Sequence, residues 1–286
     1  MRKEKTFKKF YFWSIKFWIP ILVIVFVPIL VSWLSGSGLT FKEVNGVANT
    51  NYYTRAIYQL VPNQKCSTYI IIWILTLVIT LTSVRKMKSS DTFNGNNSIY
   101  FSDCYCYLWI AANILGYKKF QLINVSLPLQ FELVINEVFS EFIVETSLTP
   151  YEKFDGDISI KYKNREHTVD IMNVLICDSY NIRQSDIAAD FNSYPVLKIS
   201  SSKMDDGVRY DNPKLVRRVR EEMNKVSKQY RELNIFLTTN PKNTLKIIGS
   251  SFIASDRFGF EKISVISMDN DRIYKKAKVI YQNNKN

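Results

Sequence analysis

The chain is poor in the residues that carry most catalysis. Its 286 residues include a single histidine, His167, which excludes a His-rich metal site. Four cysteines, Cys66, Cys104, Cys106 and Cys177, are too few and too scattered for a disulfide framework, and none forms Cys-x-x-Cys. A reducing compartment fits them. With nine glycines in all, there is neither a Gly-rich phosphate loop nor a nucleophile elbow. Each usual catalytic constellation therefore lacks a member. We expect no catalytic residue, no metal and no cofactor, and binding rather than turnover. His167 follows Asn164-Arg165-Glu166 and reads as a solvated loop residue. Asp155-x-Asp157 and Asp205-Asp206 read as solvated turn acids, and Cys104-x-Cys106 as small buried residues in an aromatic run.

Acidic residues are also in deficit, with 26 Asp and Glu against 38 Lys and Arg and a net charge of +12. Up to Val84 there are nine Lys or Arg and two Asp or Glu, leaving 29 against 24 beyond it. More than half of the excess thus sits in the opening segment, where it reads as a topology signal. The remainder is only mildly basic, which disfavours direct nucleic-acid binding. Lys214, Arg217, Arg218, Arg220, Lys225, Lys228 and Arg231 form a basic stretch, but Glu221, Glu222 and Glu232 interrupt it. It reads as a solvated helix face within reach of anionic lipid headgroups.

What the opening segment does have is long apolar runs. Phe17 to Leu34 is 18 residues without a charge, about 27 Å of helix, close to the hydrocarbon thickness of a bilayer. Phe10 to Trp13, Trp18 and Trp33 stand at its ends like interfacial aromatic belts. Pro20 and Pro28 should bend it. Ser67 to Val84 is a second charge-free run of 18; its β-branched residues would favour a strand in water, but in lipid each segment must pair its own backbone, so helix is expected. Lys and Arg concentrate before the first run and after the second, which predicts both termini cytoplasmic in a multi-pass protein of the inner or plasma membrane. The reading is a transmembrane hairpin over residues 1–88, with spans at about 12–34 and 67–84 and an outer loop 35–66 that brings Tyr52, Tyr53 and Tyr58 to the interface. A linker, 89–98, leads to a cytoplasmic domain over 99–286.

That domain begins with Ile99 to Leu115, expected as one buried helix, and Leu122 to Pro128, expected as a strand. Strands are then predicted at Ile158–Tyr162 and Val169–Cys177, paired through the turn at Asn164, and at Val196–Ile199. Asn212 and Pro213 open a helix whose apolar positions run to Leu233 at helical spacing. Leu233–Leu237 is a strand, Asn240-Pro241 opens a second helix through Ile248, and Lys262–Ser267 and Lys278–Tyr281 are the last strands. Alternating strand and helix define a Rossmann-like α/β layer with parallel pairing.

In such sheets ligands collect at the carboxyl ends of strands, beside helix N-termini. Three polar corners fall there: Asp178, Ser179 and Tyr180; Ser201, Ser202 and Lys203; and Thr238, Thr239, Asn240, Lys242 and Asn243. Hydroxyls, amides and lysines suit phosphates, and Tyr180 suits a base. The same residue types are also ordinary caps.

The strand Val169–Cys177, the strand at Val196 with its long following helix, and the run from Leu233 through Thr238-Thr239-Asn240-Pro241 to Gly249 resemble the SAVED and CARF-type domains of bacterial anti-phage systems. Some members of those families are fused to paired membrane spans. The resemblance implies a membrane-anchored effector that binds a cyclic oligonucleotide, forms a homo-oligomer and compromises the membrane of an infected cell. Its partners would be the lipid bilayer and the cyclic oligonucleotide. The alternative is a membrane toxin, retron-like, restrained by a protein or nucleic-acid partner on its cytoplasmic domain.

Overall fold

The computed structural model describes residues 2–34, 66–95, 99–102, 104–144, 151–164, 169–253, 259–269 and 271–283. They fall into two compact units, Met1–Phe93 with Trp109–Lys119, and Asn94–Leu108 with Phe120–Asn286. The expected outer loop up to Lys65, with its tyrosines, and His167 lie outside the described residues.

In the first unit, α1 (Arg2–Trp13) passes through a π-helical turn, Ser14–Trp18, into α2 (Ile19–Leu34). The continuous stretch Lys8–Leu34 is the one helix among the described residues long and apolar enough to cross a membrane. Its side chains Val25, Phe26, Leu30 and Leu34 face outward. The β-branched second run is helical, forming α3 (Cys66–Lys88), which packs along α2. Its threonines turn inward on the backbone: Thr76 and Thr80 donate to carbonyls four residues back, each at 2.7 Å, so their hydroxyls ask nothing of the surroundings.

Pro20 sets the geometry of this unit. It has no N–H, so the carbonyl four residues earlier, on Lys16, loses its α-helical donor. The π-helical turn falls at the same place, and the Tyr117 hydroxyl donates to Lys16 O at 3.1 Å. Burial, then the Asp91 carboxylate, push the Tyr117 phenol far above its ordinary pKa, so it stays a donor. Around it, Lys16 and Lys88 lie 5.9 and 5.7 Å from the ring centroid, and Phe93 meets its edge at 5.0 Å. Asp91 bridges Lys88 at 3.5 Å and Lys16 at 3.7 Å. Arg85 donates to Asn113 O at 2.5 Å. Gly116 sits at φ +84°, and a Cβ there would lie 2.9 Å from Arg85 Cα, so the close approach requires glycine. Residues 91–93, expected within a linker, are thus packed rather than extended, because Asp91 and Phe93 have partners waiting.

The second unit departs from expectation at its start. Ile99–Leu115 is not one helix: only α4 (Tyr105–Asn113) is helical, and Phe101 instead bridges Val125. Cys106 is exposed, not buried. Leu122–Pro128 is not a strand; β1 (Lys119–Gln121) ends before it and pairs with β2 (Glu141–Ile143). Asn124 turns at positive φ, and Pro128 serves at the start of α5 (Leu127–Ile135), where a missing N–H costs nothing.

The remaining strands are β3 (Glu152–Lys153), β4 (Ile158–Lys163), β5 (Ile171–Cys177), β6 (Val196–Ser201), β7 (Tyr210–Asp211), β8 (Glu232–Thr238), β9 (Lys262–Met268) and β10 (Tyr274–Gln282). Short β3 and β7 pair in parallel. The others form a six-stranded sheet in the order β10-β9-β8-β5-β6-β4. Its inner strands β9, β8, β5 and β6 are parallel, and β10 and β4 close the edges antiparallel. The expected hairpin of β4 with β5 is therefore wrong: β5 is flanked on both sides by parallel partners and buried from Met172 onward, whereas β4 alternates half-buried Ile158, Ile160 and Tyr162 with exposed Ser159, Lys161 and Lys163. That alternation belongs at an edge. From β5 the chain steps to β6 on one side, then returns across β5 to β8, so strand order reverses at the centre.

Two helices follow the carboxyl ends of strands, α6 (Pro213–Val226) and α7 (Pro241–Ser251), each with proline at its start and an asparagine cap. α6 ends at Val226, so Tyr230 and Leu233, expected on its face, instead lie beyond it, Leu233 inside β8. It buries Leu215, Val219, Met223 and Val226 and packs on β4, β6 and α7. A separate core on Leu175, Cys177, Val196, Phe236, Ile266 and Tyr274 is closed by the β5–β6 connection through Ile182, Ile187 and Phe191.

In the full chain, Tyr117→Phe should lower stability by about 1 kcal/mol through the lost donor. In a Pro20→Ala background, where Lys16 O regains a helical N–H, the same change should cost much less. Equal losses in both backgrounds, measured by thermal unfolding in detergent, would show that the hydroxyl does not serve that carbonyl.

Candidate functional site

The carboxyl ends of β5, β6 and β8 hold a buried polar network. Asp178, the first residue past β5, accepts from Asn212 Nδ2 at 2.9 Å and from Asn243 Nδ2 at 2.7 Å. Asn212 caps α6 by accepting from Leu215 N at 2.9 Å, and its own N–H donates to Asn243 Oδ1 at 3.0 Å. Asn240 caps α7, accepting from Asn243 N at 2.9 Å, and donates to Tyr210 O at 2.7 Å. Two helix starts are thus tied to each other and to one carboxylate, and one orphan N–H of each, Leu215 N and Asn243 N, is satisfied from inside the protein.

The structure therefore brings Asp178, Asn240 and Asn243 together and spends them on one another. Thr238 Oγ1 accepts from Asp178 N at 3.3 Å and donates to Tyr180 O at 2.6 Å; Thr239 pairs with Thr244 at 2.7 Å. Ser179 is held by its backbone, donating to Thr238 O at 2.7 Å and accepting from Asp205 N at 3.0 Å. Ser201 belongs to β6 rather than to the loop after it, and its buried hydroxyl has no partner among the described residues. The residues left at the rim are Tyr180, Ser202, Lys203 and Lys242. Tyr180 is 44% exposed. Ser202 Oγ accepts from Asp157 N at 3.0 Å. Lys203 pairs with Asp155, whose carboxyl that hydrogen bond holds below its ordinary value, and lies 5.3 Å from the Tyr210 ring centroid. Lys242 and Lys246 meet Asp211 at 3.0 and 2.6 Å. Burial alone would push the Asp211 carboxyl up, but these two lysines hold it below its ordinary value. Among the described residues no group of three or more His, Cys, Asp or Glu converges as metal ligands do.

A second feature was not anticipated from sequence. On the β5–β6 connection side of the sheet edge lies a cavity of about 410 Å³ whose cationic lining is Lys161, Lys163, Arg183 and Lys198, with no Asp or Glu. Alternation along β4 and the lone Lys198 inside an apolar strand were visible in the sequence. Their register was not.

Asp178 is the titratable centre of the network. Burial pushes its carboxyl above the ordinary value, and the amides of Asn212 and Asn243 pull part of the way back. A raised carboxyl contributes stability that is complete below its unfolded pKa of about 3.9 and is lost as pH rises through the folded value. Asp178→Asn, which turns an amide donor toward amide donors, should cost about 1–3 kcal/mol. Its deficit against wild type should shrink as pH rises from 4 to 7. Urea midpoints for both proteins across that range check this; a deficit that widens with pH would refute it.

The fold and its surroundings define a class, an α/β domain joined in one chain to an apolar helix of membrane-crossing length. The chain belongs to the SMODS- and ubiquitin-system-associated 2TM effector domain family, which it matches over residues 2–282. That bears out the reading of a two-span effector. No curated protein matches the sequence. Among solved structures, it is similar to the Acinetobacter baumannii Cap4 SAVED/CARF-domain containing receptor with the cyclic trinucleotide 3'3'3'-cAAA, at 12% identity and TM-score 0.42, covering 84% of this chain and 65% of that one. The same receptor with 2'3'3'-cAAA matches at 12% identity and TM-score 0.42, covering 84% and 64%. The chain thus spans just under two thirds of the length of these receptors.

Proposed function

We propose that this protein is a membrane-anchored anti-phage effector whose α/β domain binds a cyclic oligonucleotide, and that binding drives self-association and disruption of the inner membrane. One observation carries the reading: a single chain joins the paired helices α2 and α3 to a parallel sheet whose strand order reverses at its centre, where open α/β sheets take ligands. Its family is one of two-span effectors, so α3 is the second crossing in this proposal, and the cations at Lys8, Lys9, Arg85, Lys86 and Lys88 support a reading with both termini in the cytoplasm.

The domain acts here by binding and not by turnover. Its buried carboxylate at the strand ends, Asp178, has both oxygens engaged by amides. The exposed ring of Tyr180 offers a stacking face, and Ser202, Lys203 and Lys242 stand along the rim. A ligand shifts such a protein only by binding the active assembly more tightly than the resting one.

Full-length protein in detergent should be stabilised by cyclic di- or trinucleotides, by about 2.7 kcal/mol at a hundredfold excess over Kd, while linear counterparts leave the midpoint in place. The stabilising nucleotide should also release dye from vesicles carrying the protein. No shift with any cyclic nucleotide would transfer support to the partner-restrained toxin.

A further inference from the structure

We infer that the phosphodiester groups of the ligand are bound not at the helix starts but in the lysine-lined cavity at the sheet edge, between β4, β6 and the connection that leaves β5. This rests on the proposed cyclic-oligonucleotide reading and adds to it the place where charge is recognised. The helix starts suit phosphate poorly because the Asn212 and Asn240 caps already accept from Leu215 N and Asn243 N, and the Asp178 carboxylate stands beside them. An incoming phosphodiester anion would meet that carboxylate and compete with the bonds the caps already make.

The cavity has the opposite character. The antiparallel register sets Lys161 directly opposite Lys198, with Lys163 two residues along on the same face of β4. Like charges facing each other across a strand pair are destabilising. Lys198 is held in place by neutral acceptors only, Asn181 Oδ1 at 2.5 Å and Ile182 O at 2.8 Å. Among the described residues no carboxylate forms an ion pair with Lys161, Lys163, Arg183 or Lys198, although most other lysines of this domain with an ion-pair partner find one within 3.2 Å. These four cations line a volume of about 410 Å³ whose lining holds no carboxylate, within the range of small-ligand sites.

The chain also links this cavity to the rim. Asn181, Ile182 and Arg183, which line it, directly follow Tyr180. A ligand with its phosphates against Lys161 and Lys198 would have a base within the span of that segment. Recognition is of at least two anionic groups, since the opposed lysines and Arg183 come from three separate elements.

The test uses the full chain in detergent and the double variant Lys161→Gln, Lys163→Gln, neither side chain having a hydrogen bond among the described residues. Without ligand, its melting midpoint should match or exceed wild type, because repulsion is relieved. Its affinity for the stabilising cyclic nucleotide should fall by about tenfold or more through the loss of charge-assisted contacts. Lys161→Glu, which would pair with Lys198, should raise the midpoint further and abolish binding. If wild type binds and the double variant binds equally, this inference is overturned while the function stands. If wild type binds no cyclic nucleotide, the function falls, and inorganic tripolyphosphate then decides the cavity: binding lost in the double variant sustains an anion site, whereas equal binding or none overturns it.

Discussion

A missing proline N–H organises the helical unit. Pro20 strips the carbonyl of Lys16 of its regular donor inside a segment whose outward side chains are apolar, and the protein answers with a π-helical turn and a tyrosine hydroxyl. Where water is scarce, an unpaired carbonyl costs several times what a made hydrogen bond returns, so a partner had to be brought from elsewhere in the chain. That requirement explains why Trp109–Lys119 belongs with the helices, although the sequence around it belongs to the α/β unit. Gly116 lets the segment come close to Arg85, and Tyr117 then reaches Lys16. The interfacial lysines gather on the same ring. They are partners for both Tyr117 and Asp91 in one arrangement.

The same rule governs the α/β unit with a different cast. Two helices start side by side at the ends of parallel strands, each with N–H groups that lack helical acceptors. Many proteins leave such groups for an anionic ligand. Here Asn212 and Asn240 cap the two helices, Asn243 links them, and Asp178 supplies the negative charge. The corner is rigid as a result and is already occupied. It fixes the loops that leave β5 and β6, which carry the exposed Tyr180 ring and residues that line the edge cavity.

This division decides what could be read in the sequence. Local signals were sufficient where one element supplies its own explanation: Asn212-Pro213 and Asn240-Pro241 open helices because a cap and a proline suit the first turn, and Ile171–Cys177 is a strand because it is apolar at every position but Asn173. They failed where the partner is remote. Leu122–Val125 has a strand's composition, but Asn124 turns the chain and Pro128 fits a helix start, so β1 ends early. The hairpin of β4 with β5 looked natural from spacing, yet β5 already had two parallel neighbours. The corner residues were located correctly at strand ends, and their types suited phosphate and capping equally; only the hydrogen bonds distinguish the two. Lys161 and Lys198 are 37 positions apart and become neighbours only through the register of β4 on β6.

Placing charge recognition at a sheet edge has an energetic logic. A central strand cannot hold a column of bare lysines, because desolvation would expel them. An edge strand with one solvated face can, and the repulsion it stores is small enough for the surrounding fold to bear. That repulsion is also what makes the site responsive. An anion relieves it, so the bound state gains both the new contacts and the removal of an unfavourable pair, whereas a neutral ligand of the same shape gains neither. Discrimination by charge therefore needs no moving part within the sheet. The chain crosses between the two units at residues 93–94, 108–109 and 119–120, so the segment that pairs with Lys16 is covalently continuous on both sides with the α/β unit.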